Sequence, residues 1–583
     1  HENGYIKPRK TFWRNSKLFL TFIGKFKQAL THAINFQEIF SPIEKICYLC
    51  FKESKNLKTH MLYPIGIQSF ADIRERGFVY VDKTAMVYQM ALRGKFYFLS
   101  RPRRFGKSLL VSTMEAYFLG KKELFKGLAI EKLETDWVQY PILHLDLNAQ
   151  NYTNENALQE ELDKHLMIWE QAYGLTTDKS LSPETRFYNV IHNVYKQTGK
   201  QVVVLIDEYD KPLLNTIDNE TLHSVYRNML KAFFSVLKSL DACIRFGFIT
   251  GVSKFSHVSI FSDLNNLKDI SMDPRYVDIC GISEQELHGY FDDSIRELAD
   301  ANGITFEEAC GQLRKQYDGY HFREDSIGVY NPFSLLNTFD SQVFNDYWFE
   351  TGTPTFLVKL LQSKNYRLKD LEGKKVMSDV LSTTDTATSN PIPVLYQSGY
   401  LTIKGYDRKM RIYTLGFPNE EVERGFFNFL LPYYTPIGND DKASFLSDFV
   451  VAVDEGRPED FLLLIQTMLA GQDYRIAGDA EKYFQNTFYL IFQLLGFNVV
   501  VEQATSQGRM DVTIQTDDYI YIIELKLDKT AEEALRQIKD NQYARPFQAD
   551  KRKLYLIGVN FSSETRTVEK WVVEECSCCI KKQ

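Results

Sequence analysis

Eight cysteines in 583 residues are too few to staple a chain of this length, which excludes a disulfide scaffold. Cys243, Cys280 and Cys310 fall in segments with helical or strand pattern and read as reduced core thiols. The pairs Cys47-x-x-Cys50 and Cys576-x-Cys578-Cys579 have no nearby histidine and lie at opposite ends of the chain, which argues against a shared zinc site. Long apolar runs are also missing. No window supplies the roughly 18 apolar residues of a membrane span, and the best stretch, Leu18 to Ile23, is followed at once by Lys25 and Lys27. No membrane partner and a cytoplasmic location are therefore expected. A surplus of positive charge is lacking too, the formal net charge being −7. Tight nonspecific binding to nucleic acid would have to come from local patches, such as Arg536, Lys539, Arg545, Lys551, Arg552 and Lys553. The signature of disorder is absent, with 44% hydrophobic and 25% charged residues, and the length suits about three to four domains.

What is present starts with Tyr97-Phe98-Leu99-Ser100-Arg101-Pro102-Arg103-Arg104-Phe105-Gly106-Lys107-Ser108-Leu109-Leu110, an apolar strand, a tight turn and a helix start. That is the layout of a phosphate-binding loop. Gly106 lets backbone N–H groups approach a phosphate, Lys107 meets the β/γ charge, and the Ser108 hydroxyl suits Mg²⁺. Arg101 stands where the general pattern has its first Gly, and Arg101 through Leu109 are taken as the nucleotide-binding segment. About 100 residues on, Gln201 to Asp210 is a β-branched run that ends in acids, the pattern of a buried parallel strand whose carboxyl end faces a ligand. Asp207 is placed on Mg²⁺ with Ser108, and Glu208 on the attacking water. A third strand, Ile244 to Ser253, ends in hydroxyls. Strands alternating with helices around 107–119, 155–172 and 184–197 predict a parallel sheet wound on both faces.

Charge divides the chain near Met61. Residues 1–60 carry 11 Lys+Arg against 4 Asp+Glu and read as a basic extension outside the domains. Residues 61–283 form the nucleotide module. Residues 284–460 read as mostly helical, with a capping box at Ser283-Glu284-Gln285-Glu286, core aromatics, and a loop or linker at 363–393.

Residues 461–583 hold a second constellation. Gly508 to Ile514 and Tyr519 to Lys526 read as a hairpin. Alternation puts Glu524 and Lys526 on one strand face and lets the partner strand bring Asp511 beside them. Two carboxylates and a lysine are the groups of metal-dependent phosphodiester cleavage, with Asp511 and Glu524 as ligands of Mg²⁺ or Mn²⁺ and Lys526 as the cation. The neighbouring pattern gives the order helix, strand, strand, helix, strand.

Tyr63-Pro64-Ile65-Gly66, Ser100 to Ser108, Asp207-Glu208-Tyr209-Asp210-Lys211-Pro212 and Thr250 to Ser256 together resemble bacterial AAA-ATPase-like proteins, abundant in gut Bacteroidetes, with a C-terminal PD-(D/E)XK nuclease-like domain. The resemblance runs from Met61 nearly to the end. It implies an AAA+-type α/β domain, a helical lid with a winged helix, and a restriction-endonuclease-like α/β domain. ATP and Mg²⁺ are the implied cofactors, with Thr250 as a γ-phosphate sensor, Glu481 on a first helix as a further metal ligand, and Gln537 in a later nuclease motif. The implied partner is DNA and the implied setting mobile elements or defence, with a homo-oligomer open. The competing reading is a nucleotide-regulated switch or scaffold whose nuclease fold no longer cuts.

Overall fold

The computed structural model describes residues 61–576 except 218, 255–259, 262–263, 265, 350–356, 359–360, 362–365, 383–389, 435–441, 471–485, 488, 494–497, 506–507 and 566. Strands β1 (Phe96–Ser100), β2 (Ile142–Asp146), β3 (Val202–Asp207), β4 (Ile244–Gly251) and β5 (Leu267–Asp269) form a parallel sheet in the order β2-β3-β4-β1-β5. Every residue of β1 and β3 is buried, which is why both read as unbroken apolar runs. Helix Lys107–Phe118 follows β1, helices Ala157–Ala172 and Pro183–Thr198 bridge β2 to β3, and Glu220–Ser239 leads to β4. This winding brings the carboxyl ends of β1, β2 and β3 to one edge, where the phosphate loop lies.

A group of helices follows the sheet. Ser283 and Glu286 form the expected capping box at helix Glu284–Tyr290, and the same Glu286 carboxylate pairs with buried Lys83 at 2.5 Å. Three more helices, Asp292–Asn302, Phe306–Tyr317 and Pro332–Ser341, close a small core around Leu287, Phe291, Leu298, Leu313 and Phe339, with β6 (Ile282–Ser283) pairing β7 (Val329–Tyr330).

The next segment is less helical than its sequence suggests. β8 (Lys374–Met377), β9 (Thr402–Asp407) and β10 (Ile412–Gly416) form an antiparallel sheet in the order β8-β10-β9, with helices Ser378–Ser382 and Ile392–Gln397 between β8 and β9. Residues 363–393 are therefore not a plain linker in their described part. These strands are too short and polar to show an apolar run. Trp348, Phe349 and Tyr400 pack edge-on with centroids 5.2 to 5.8 Å apart, as expected of core aromatics. The unit rests on the phosphate loop: the Trp348 indole donates to the Arg103 carbonyl at 3.2 Å, and a Cβ on Gly399 would come within 2.7 Å of Pro102. Beneath Trp348, fully buried Glu421 accepts from its backbone N–H at 2.8 Å and from Ser334 Oγ at 2.8 and 2.9 Å. Burial pushes the Glu421 carboxyl up to about 8.

The C-terminal sheet has the order β11-β12-β13-β14-β15, from β11 (Asn498–Thr505), β12 (Gly508–Gln515), β13 (Tyr519–Leu527), β14 (Lys553–Phe561) and β15 (Val568–Glu575). β12 and β13 make the expected hairpin, while β13 and β14 run parallel across helix Ala531–Asp540. The helix sits so close that a Cβ on Gly558 would collide with the Ala531 carbonyl. β11 and β15 extend the expected order by a strand on each side. Helices Lys442–Asp454 and Pro458–Ala470 join this layer, Tyr521 donating to the Val453 carbonyl at 2.5 Å and Gln466 to that of Val568 at 2.7 Å.

Candidate active sites

Gly106 begins helix Lys107–Phe118 at φ 88°. No atom lies within 4 Å of where its Cβ would be, so the left-handed backbone rather than crowding calls for glycine. The turn aims the first N–H groups of a 12-residue helix into a cavity of about 310 Å³. Arg103, Arg104, Lys107, Ser108, Leu109 and Glu208 line it, facing Pro64 to Gln68 and Pro332–Phe333 across the opening. A smaller, mainly apolar cavity of about 100 Å³ adjoins, sharing Pro64, Gly106, Leu109, Pro332 and Leu336.

Buried Lys107 donates to the Pro102 carbonyl at 3.2 Å and pairs with Glu208 at 3.4 Å. Ser108 is hydrogen-bonded to Asp207, whose carboxyl is pushed up to about 6, first by burial and then by the charge of Glu208. Glu208 holds φ 51°, a strained value for a side chain of its size, at the position assigned to the attacking water. Asp210 is fully buried and accepts from the Val252 and Ser253 backbones and the Ser253 hydroxyl, which locks the turn after β3 against the end of β4.

Three assigned nucleotide contacts lie outside the larger cavity. Arg101 is buried, and its guanidinium donates to the carbonyls of Ser100, Ser271, Tyr276 and Val277 while lying 4.0 Å from the Phe322 ring centroid. These contacts hold it away from the cavity, which it does not line. Phe105, buried edge-on against Tyr320 4.7 Å away, lines the smaller cavity, whereas Thr250 donates to the Leu99 carbonyl at 2.8 Å. Pro102 contributes its carbonyl to Lys107 and its ring to the Gly399 contact.

Two cavity residues had gone without a role. Lys211 lies within the Asp207–Pro212 motif, and Asn148 follows the carboxyl end of β2, where ligands of such sheets gather. Burial and the nearby Arg103 cation lower the Lys211 pKa. Among the described residues neither Lys211 nor Arg103 makes a side-chain ion pair.

In the C-terminal sheet, the register that pairs Val512 with Ile523 carries Asp511 alongside Glu524. Asp511 accepts from the Leu525 backbone N–H at 2.8 Å. Glu524 is 1% exposed; its Oε1 takes Lys526 Nζ at 3.0 Å and the Gln537 amide, whereas Oε2 is buried and has no hydrogen-bond partner among the described residues. Burial, then the Asp511 charge, pushes the Glu524 carboxyl up to about 7. An orphaned carboxylate oxygen beside a second carboxylate fits a divalent cation, the ligand that removes both penalties. Among the described residues no three His, Cys, Asp or Glu converge on a point, and Glu481 lies outside the described residues.

A family model described as predicted AAA-ATPase matches residues 64–261, and one described as the PD-(D/E)XK nuclease superfamily matches residues 479–571. The "Uncharacterized protein in vnfD 5'region" of Azotobacter chroococcum mcd 1 is 37% identical over 525 residues, covering 88% of this chain and 98% of that protein. Among solved structures, the Aeropyrum pernix ORC2 protein (ADPNP-ADP complexes) aligns with a TM-score of 0.23 at 11% identity over 57% of this chain and 88% of its own. The Aeropyrum pernix ORC1 protein in complex with DNA gives 0.21 at 12%, over 59% and 90%.

Proposed function

Because the chain belongs to the family of this Azotobacter protein, and carries a predicted AAA-ATPase segment and a PD-(D/E)XK nuclease segment, we propose that it couples ATP binding and hydrolysis to metal-dependent cleavage of DNA. The observation that carries the nuclease half is the unpartnered Glu524 Oε2 next to Asp511 and Lys526. Asp511 and Glu524 would hold Mg²⁺, or Mn²⁺, which supplies Lewis-acid polarisation of a phosphodiester and a nucleophilic water at neutral pH. The Leu525 N–H fixes Asp511, Gln537 fixes Glu524, and Lys526 offsets charge that develops on the phosphate.

In the nucleotide module the triphosphate takes the helix N-terminus and Lys107. Lys107 then exchanges its Glu208 partner for phosphate, which frees Glu208 to orient water. Asp207 and Ser108 would hold the Mg²⁺ of the nucleotide, Arg103 and Lys211 add positive charge at the phosphates, and the apolar side cavity suits the base. We place the protein in the cytoplasm, with residues 1–60 outside both modules.

The deciding experiment incubates labelled single- and double-stranded DNA with the protein and Mg²⁺ or Mn²⁺, with and without ATP. Cutting that requires the metal and changes with ATP is expected. Metal binding with every DNA and RNA substrate left intact would instead favour a nucleotide-regulated switch.

A further inference from the structure

The antiparallel hairpin β9–β10 ends in a four-residue turn, Arg408-Lys409-Met410-Arg411, and all four side chains are exposed. Met410 is 56% exposed at the tip, and Met377, opposite Ile412 on the neighbouring strand, is 59% exposed. Among the described residues none of the three cations makes an ion pair. The nearest acid in sequence, Asp407, is engaged in the turn, its carboxylate accepting from the backbones of Lys409 and Met410 at 2.9 Å each. Tyr406 and Tyr413 pack across the strands with tilted rings 4.5 Å apart, and Ile403 and Leu415 anchor the hairpin in the core, so the turn projects from a packed base. Helix Ile392–Gln397, which precedes the hairpin, is not available for a groove: Ile392, Val394 and Leu395 are fully buried.

We propose that this turn is a duplex-DNA contact that enters the minor groove, Met410 acting as an apolar wedge between base steps while Arg408, Lys409 and Arg411 meet the flanking phosphates. The inference rests on the reading that the chain acts on DNA. An exposed apolar tip flanked by cations is the combination with which proteins pry open and bend a duplex through its minor groove. A protein partner would leave three unpaired cations facing it, and single strands offer no groove for a wedge. From residue 61 on the chain carries more acidic than basic residues, so contact with phosphates has to come from local cations such as these.

The test uses the full chain in EDTA with a fluorescent 25-base-pair duplex, reading anisotropy from low to high KCl. A variant carrying Arg408→Gln, Lys409→Gln and Arg411→Asn, the Asn chosen because position 411 sits at φ 55°, should bind about tenfold or more weakly near 0.15 M salt. Its slope of log affinity against log salt should fall by roughly three. Met410→Ala should keep the slope and lose duplex bending, read as end-to-end energy transfer. An unchanged slope in the triple variant, with its melting temperature preserved, overturns the proposal, as does tighter binding of single strands or RNA than of the duplex. Cleavage of a small chromogenic phosphodiester by the wild-type chain with Mn²⁺ scores the nuclease site separately. A chain that cuts the diester but does not bind the duplex loses the turn contact and keeps the nuclease.

Discussion

Glu421 makes the chain's stability fall as pH rises, and the size of the fall follows from its surroundings. The carboxyl is fully buried, and burial outweighs its hydrogen bonds and the Arg424 cation, so it is pushed up from 4.5 to about 8. The folded state therefore binds a proton that the unfolded state has released over that interval. The associated stability is fully present below about pH 4.5 and is lost progressively as pH climbs through 8. A shift from 4.5 to about 8 corresponds to about 4 to 5 kcal/mol. Glu421→Gln removes the proton while keeping a carbonyl to accept from Ser334 and Trp348 N–H. At pH 5 the two chains should melt within a degree or two. At pH 9 the variant should be the more stable by about 4 kcal/mol, several degrees in midpoint. Differential scanning fluorimetry from pH 5 to 9 reads the difference, and indole emission should titrate near 8 in the wild type alone, because Trp348 hangs on this carboxyl. If Glu421→Gln retains the wild-type pH slope, the carboxyl is ionised throughout and the reasoning fails.

Lys107→Ala should weaken ATP binding by roughly 10- to 100-fold in calorimetry, since a charge-assisted contact is worth about 1.5 to 3 kcal/mol. Glu208→Gln should bind ATP as the wild type does and hydrolyse it about 100-fold more slowly. Asp511→Ala, Glu524→Ala and Lys526→Ala should each abolish DNA cleavage in a gel assay while ATP turnover persists, because some 300 residues and two separate sheets divide Glu208 from Asp511. Arg101→Ala should leave four carbonyls without their donor and lower stability by about 3 kcal/mol or more; an unchanged melting curve would contradict the role given to that side chain.

The phosphate loop and the β12–β13 hairpin were legible because their chemistry constrains residue type as well as pattern. A triphosphate demands Gly, Lys and a hydroxyl in order, and a buried strand admits two carboxylates and a lysine only for a purpose. The parallel sheet was legible for a related reason, its central strands β1, β3 and β4 being buried on both faces and hence largely apolar. The β8–β10 sheet was not, because strands of four to six residues with one wet face, such as Lys374–Met377, look like any polar loop. The direction of Arg101 was hidden as well. Nothing in Arg-Pro-Arg-Arg-Phe distinguishes the arginine that seals the loop from the two that face the cavity; only the carbonyls of Ser271, Tyr276 and Val277, some 170 residues away, decide it. Lys211 received no role because it follows Asp210 in sequence and reads as that acid's partner, whereas in the fold it lines the cavity beside Arg103.

The way Arg101 is held bears on how quickly a nucleotide can come and go. With four carbonyls gripping its first residue, the loop is a fixed wall, and Lys83 bound to Glu286 fastens helix Glu284–Tyr290 as well. The remaining walls are the Pro64–Gln68 segment and the start of helix Pro332–Ser341, whose Phe333 lies under the Arg104 guanidinium at 4.9 Å. That helix is anchored too, Ser334 donating to buried Glu421 while Leu335 and Phe339 lie in the core, so the nucleotide meets a slot whose two sides are both held. Residence time then follows from the contacts the nucleotide itself makes rather than from a moving wall.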